Sequence, residues 1–168
     1  KLSSADANGI WSAPVTLLGA STGQTSPINK ETPFYRLSQS GEHQIYFIGY
    51  PDEDTYEAEI FLATAPTLTG PYTVLPDPIV KRGPMAGQDV YLMTSPSVVL
   101  HDGLLHLAFL GWDDFANVTM VWAIGATSAD NGRTWSDFQQ IDAPIGMEGQ
   151  ITQTAQGAYF AARTGEYN

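Results

Sequence analysis

The side chains in this sequence that could do chemistry are carboxylates, hydroxyls and aromatic rings, gathered at a few places. Glu31 precedes the run Thr32-Pro33-Phe34-Tyr35, and Asp89 stands in a long loop ahead of Ser95-Pro96-Ser97. Either could face a pocket as one of the two carboxylates that acid–base chemistry uses. For Asp89 the plainer reading is an Asx turn. Tyr35, Tyr50, Tyr91 and Trp112 could stack on the apolar faces of sugar rings, with packing between sheets as the default for each. Asp52-Glu53-Asp54, with Glu57 and Glu59, forms an acidic cluster, and Asp113-Asp114 follows Trp112. The cluster has the oxygen ligands of a structural calcium site but not the EF-hand pattern, so a solvated acidic tip is the better reading. His43, His101 and His106 show no metal-ligand spacing, and no cofactor is expected.

The elements that must position these groups announce themselves through a turn. Ser128-Ala129-Asp130-Asn131-Gly132-Arg133-Thr134-Trp135 has the form Ser-x-Asp-x-Gly-x-Thr-Trp and resembles the Asp box of sialidase-type β-propellers. Asp130, Asn131 and Gly132 suit a tight reversal, and Trp135 supplies a large ring to pack between neighbouring sheets. The motif therefore reads as a hairpin staple rather than an active site. Ser4-Ala5-Asp6-Ala7-Asn8-Gly9-Ile10-Trp11 is a degraded copy. Between them, Ala65-Pro66-Thr67-Leu68-Thr69-Gly70-Pro71-Tyr72 replaces the tryptophan with a tyrosine. Ser4, Ala65 and Ser128 lie 61 and 63 residues apart, and Pro33 and Pro96 repeat the 63-residue spacing. A fixed period of this kind predicts a repeat architecture.

The period divides the chain into four-stranded units. Residues 32–37, 43–50, 59–64 and 72–75 read as the strands of one unit, and 95–100, 104–112, 120–127 and 135–141 as those of the next. Trp11–Leu18 reads as an outer strand, and residues 148–153 and 158–163 as the start of a last unit. The stretches 19–31 and 76–93 read as irregular connections. The expected fold is all-β: a β-propeller of four-stranded antiparallel blades in a single 1–168 unit. It has a blade end at 1–20, full blades at 32–75 and 95–141, and a blade start at 148–163. The halves could complete one another across a homodimer, giving six blades, or the chain could be a segment of a longer propeller.

Composition narrows the function. With 168 residues, sixteen glycines, eleven prolines and 11% aromatics, the chain suits many short strands with a sizeable core. The net charge is −11 with seven lysines plus arginines, which argues against phosphate-rich partners, so no nucleic acid and no membrane is expected. No apolar run approaches about 18 residues. Zero cysteines exclude disulfides. Asn117-Val118-Thr119 is a formal glycosylation sequon. The opening Lys1-Leu2-Ser3-Ser4, without Met or a signal peptide, suggests a trimmed N-terminus.

Ile145-Gly146-Met147-Glu148-Gly149-Gln150, followed by Gly157-Ala158-Tyr159-Phe160, resembles the Glu-Gly-Pro…Gly-Tyr-Tyr pattern of glycoside hydrolase family 43. Ser95-Pro96-Ser97, with His101-Asp102-Gly103-Leu104, is similar to the Asp-Pro-Ser…Asp-Gly repeat of that family. With its family 32 relatives it comprises five-bladed propellers acting on arabinosides, xylosides and fructosides. The resemblance implies that Glu148 is the general acid and that carbohydrate is the partner. Beside it, Asp89, or more weakly Glu31, could serve from its own position as a substitute second carboxylate, and Ser95, Tyr35, Trp112 and Arg163 could contact substrate. A secreted or periplasmic setting is favoured. The pattern departs at Ser95, where the family has an aspartate, and the family's general base would fall upstream of residue 1. A carbohydrate-binding or scaffold propeller is therefore the competing expectation. A sialidase-like propeller is a third, but it needs a triad of arginines, and only Arg36, Arg82, Arg133 and Arg163 exist. The acidic balance also disfavours an anionic substrate.

Overall fold

The computed structural model describes residues 13–19, 29–50, 57–113, 120–142, 148–154 and 157–163, and every regular element among them is a β-strand. The first sheet has the order β1 (Asn29–Leu37), β2 (His43–Tyr50), β3 (Glu59–Ala65), β4 (Thr73–Val74). A hairpin of β5 (Gly83–Met85) and β6 (Gln88–Val90) follows. The second sheet comprises β7 (Leu92–His101), β8 (Leu104–Trp112), β9 (Val121–Ser128) and β10 (Ser136–Gln140), again in sequential order. β11 (Glu148–Thr154) and β12 (Gly157–Arg163) pair as a second hairpin. All these pairings are antiparallel.

The middle strands are apolar on both sides because each side meets a different core. In β2, Ile45 and Phe47 join Phe61, Ala63 and Tyr72 in a cluster that Leu17 and Leu18 pack against. Tyr46, between them in sequence, points into the cluster shared with Leu107, Phe109 and Ile124 of the second sheet. Period-2 alternation of this kind gives a continuous apolar run when both faces are buried. The outer strands β1 and β10 lack that double cover, and their residues are exposed or half-buried, as at sheet edges. By contrast β7, packed against β1 and β11, has no exposed residue.

Both first strands carry the same irregularity. Register shifts between Glu31 and Phe34 in β1, and between Thr94 and Ser97 in β7. The residue before each proline, Thr32 or Ser95, has φ of 43° or 54°. Proline has no N–H for the ladder, so a bulge is where a strand can accommodate it. This is the structural content of the 63-residue proline spacing. Positive φ in a non-glycine residue stores strain, and bulges of this kind recur beside functional sites.

The Ser128–Trp135 turn staples its own hairpin and docks on the first sheet. Asp130 Oδ1 accepts the N–H groups of Arg133 (3.0 Å) and Thr134 (2.9 Å), and Oδ2 accepts the Thr134 hydroxyl at 2.6 Å. Ser128 Oγ donates to Asp130 Oδ1 at 2.8 Å and accepts the Gly132 N–H at 3.0 Å. Burial pushes the Asp130 carboxyl up, but the bonds from Thr134, Ser128 and Arg133 outweigh it and hold it at about 2. The Trp135 indole donates to the Gly132 carbonyl, and its ring meets Tyr46 edge-on at 6.3 Å. Across the junction, Gln44, fully buried, donates to the Asn131 carbonyl at 2.9 Å. Arg133 pairs with Glu42 at 3.0 Å.

Several expectations change. Residues 76–93 are not an irregular loop: they contain β5 and β6, joined by Ala86 and Gly87, both at positive φ as a primed hairpin turn requires. Asp89 therefore lies on β6 opposite Pro84, and its carboxylate makes no hydrogen bond among the described residues, so the Asx turn does not form. Within 13–18, the expected outer strand reduces to a single bridging residue, Val15. The Ser4–Trp11 copy, Asp52–Asp54, Asp114 and the Asn117–Thr119 sequon lie outside the described residues. Glu148 and Arg163 are described as backbone positions, facing each other across the β11–β12 ladder.

Candidate functional site

β1 and β7 begin, and β2 and β8 end, at the same edge of their sheets because each pair is antiparallel. There the two sheets repeat one arrangement with different chemistry. In the first, the Tyr50 hydroxyl at the end of β2 lies 3.5 Å from Glu31 Oε2, just ahead of the bulge. In the second, the Trp112 indole at the end of β8 donates to Thr94 Oγ1 at 3.2 Å. Glu31 and Thr94 hold matching positions, opposite Ile48 and Leu110. One sheet thus offers an exposed carboxylate where the other offers a hydroxyl, each followed by a strained hydroxyl residue, Thr32 or Ser95. Burial lowers the pKa of neighbouring Lys30.

A third first strand joins them. β7 packs against both β1 and β11. Its Ser97, 1% exposed, donates to the Ala108 carbonyl at 3.4 Å and accepts the Ile151 N–H at 2.8 Å. That side-chain bond fixes β11, which starts three residues earlier at Glu148. Nothing local in the sequence marks Ser97 for this task. Its clue is a hydroxyl inside an apolar strand, which burial obliges to find partners.

The remaining sequence candidates are scattered. Trp112 is 7% exposed, packed with Leu92, Leu110 and Ala123, so its ring is core rather than an open stacking platform. Tyr35 is 46% exposed but sits four residues along β1 from Glu31, about 13 Å away at strand rise, with its hydroxyl 2.9 Å from His43 Nδ1. Ser95 is half-buried at the bulge. Asp89 lines a separate cavity of about 310 Å³ with Arg82, Tyr91 and Asp113. Arg82 pairs with Glu57 and donates its backbone N–H to Glu59 Oε1 at 3.3 Å, a grouping the sequence reading missed because it joins the approach to β5 with the start of β3, 23 residues earlier. Among the described residues, no group of three His, Asp or Glu side chains stands close enough to hold a metal ion.

No protein-family profile and no curated sequence matches the chain. Solved structures do. A family 117 glycoside hydrolase from the marine bacterium Zobellia galactanivorans superposes with a TM-score of 0.71 at 15% identity, over 94% of this chain and 46% of its own. An N-acetylgalactosamine deacetylase from F. plautii, in complex with blood group B trisaccharide, gives 0.58 at 11%, over 91% and 50%. A family 43 β-xylosidase/α-arabinofuranosidase from a compost microbial metagenome, in complex with xylotriose, gives 0.53 at 16%, over 78% and 41%. The chain spans half or less of the length of each of these proteins. At these identities the likeness establishes a shared fold: antiparallel four-stranded sheets arranged as in propeller-like carbohydrate-active enzymes.

Proposed function

We propose that this chain supplies blades of a propeller glycoside hydrolase acting on neutral glycans, with arabinosides, xylosides or fructosides as substrates and Glu148 as the general acid. In this role Glu148 protonates the leaving-group oxygen while a second carboxylate activates water or attacks the anomeric carbon. The observation that carries the reading is the set of adjacent first strands, β1, β7 and β11. Two of them are bulged before a proline, and the third starts at Glu148. Such a row of strand starts suits a cleft where reacting groups from several strands meet. Pentose-containing substrates are supported by the family 43 neighbour, a β-xylosidase/α-arabinofuranosidase.

One observation favours a second reading, a carbohydrate-binding propeller without hydrolysis. Thr94 and Ser95 put hydroxyls at the β7 bulge, where the catalytic reading wants a carboxylate. The Ser128–Trp135 turn fits an Asp box, but the sialidase reading gains nothing from it. Arg36, engaged by Gln44 and Asn131, and Arg133, engaged by Glu42, are held in one hydrogen-bonded group in which Asn131 also donates to Glu42, and Arg82 is engaged by Glu57. Release of reducing sugar from arabinan, xylan and levan, measured beside binding to the same polymers, decides between the two readings. Hydrolysis of any one supports the enzyme; binding without release would move the chain to the second reading.

A further inference from the structure

We propose that the β5–β6 hairpin carries a subsite for one neutral sugar unit, lined by Arg82, Asp89, Tyr91 and Asp113. The cavity measures about 310 Å³, at the lower end of the roughly 300–1,000 Å³ typical of small-ligand pockets, so it suits a single ring. Its lining holds the three kinds of group that grip a sugar. Tyr91 is 37% exposed, and its backbone is fixed by the N–H bond to the Trp112 carbonyl at 2.8 Å. Its ring offers a flat apolar face to sugar C–H groups, and its hydroxyl makes no hydrogen bond among the described residues. The Asp89 carboxylate, also without a partner among the described residues, can accept from vicinal hydroxyls. Asp113 is held in place by the Met120 N–H on Oδ1 at 3.0 Å.

Arg82 completes the set. Its Nη1 pairs with Glu57, which fixes the guanidinium and offsets its charge. The guanidinium has five N–H donors, so others remain for a hydroxyl or ring oxygen. With Arg82 compensated by Glu57, the Asp89 carboxylate leaves its side of the cavity negative, which repels carboxylate, sulfate and phosphate ligands and selects neutral sugars. Tyr91 precedes Ser95 by four residues of nearly continuous strand, about 13 Å. One ring does not reach both places, whereas one oligosaccharide does. The hairpin subsite would therefore hold a different unit of the same oligosaccharide from the one at the strand starts. This inference rests on the carbohydrate reading above, but not on hydrolysis.

The test is calorimetric titration of the full chain with xylotriose, arabinotriose and a glucuronic acid-bearing xylotriose. It is repeated with Tyr91→Ala and Asp89→Asn, two substitutions at exposed positions. The subsite predicts at least tenfold weaker binding of a neutral trisaccharide in each variant. The acidic trisaccharide should bind wild type at least tenfold more weakly than its neutral counterpart. Unchanged affinity in both variants, or preference for the acidic sugar, overturns the subsite. A chitosan trisaccharide that binds in place of the neutral ones also overturns it, in favour of an ammonium site. Neutral binding that depends on Tyr91 without any hydrolysis would remove the catalytic reading and leave the subsite standing. Hydrolysis of aryl monosaccharide glycosides with no trisaccharide binding would do the reverse.

Discussion

Gly132→Ala tests whether the Ser128–Trp135 turn locks the second sheet onto the first. Gly132 has φ of +84°, and a Cβ there would lie 2.1 Å from the Tyr46 hydroxyl. Two costs follow. An L-residue in the left-handed region loses about 1–2 kcal/mol. Overpacking against a fully buried tyrosine adds about 1–3 kcal/mol, since Tyr46 is held between the sheets and cannot withdraw. The single variant should therefore lose about 3 kcal/mol, or a fall of several degrees in Tm for a chain of this length. Tyr46→Phe alone removes the bond to Gln44 Oε1 at 3.0 Å, but Arg36 Nη1 still reaches that oxygen at 2.6 Å, so the loss is about 1 kcal/mol. In the double variant the hydroxyl is gone, and the nearest ring atom stands 3.1 Å from the new methyl. The clash is relieved and the backbone cost remains, so the double variant should be at least about 1 kcal/mol more stable than the sum predicts. Urea denaturation of the four proteins measures this. A Gly132→Ala loss below about 1 kcal/mol, or strict additivity with Tyr46→Phe, would refute the docking argument.

Two further outcomes follow from the same contacts. The Asp130 carboxyl, held at about 2, lies below its unfolded value, so its stabilisation is in place above about pH 4 and is lost as the pH falls toward 2. Taken whole the difference is worth about 2 kcal/mol, and solvent screening at this exposed position reduces it to about 1 kcal/mol. An Asp130→Asn variant should lose that amount at neutral pH and show a flatter stability profile between pH 4 and pH 2; equal profiles in both proteins would contradict the assignment. Ser97→Ala strips the buried Ile151 N–H of its acceptor and should cost about 1–3 kcal/mol, with faster amide exchange at Ile151. Unaltered protection there would mean that β11 is held by other contacts.

The sequence reading reached the fold where local pattern and burial agree. His43–Tyr50 and Leu104–Trp112 were readable to the residue because strands buried on both faces are unbroken apolar runs bounded by turn residues. The chemistry of Ser128–Trp135 is likewise local, since Asp130 bonds residues within four positions of itself. The β5–β6 hairpin was hidden because three-residue strands carry no period, and Ala86-Gly87 is a weak turn signal. Trp112 looked like a stacking platform because a sequence does not show that Leu92 and Ala123 cover it. The candidate site was legible only as loose members. Glu31 and Asp89 could be singled out as carboxylates, but the contact of Arg82 with Glu57, and the cavity Arg82 shares with Asp113, join residues far apart in the chain. No spacing rule connects those.

The central claim is that Glu148 protonates a glycosidic leaving group, and leaving-group dependence tests it most directly. Wild type and Glu148→Gln are compared on a xylobioside or arabinobioside and on the matching dinitrophenyl glycosides, whose leaving group needs no proton. The account predicts a 10²–10⁴-fold loss on the disaccharide and a far smaller one on the dinitrophenyl substrate. An equal loss on both, or no loss on either, would contradict it.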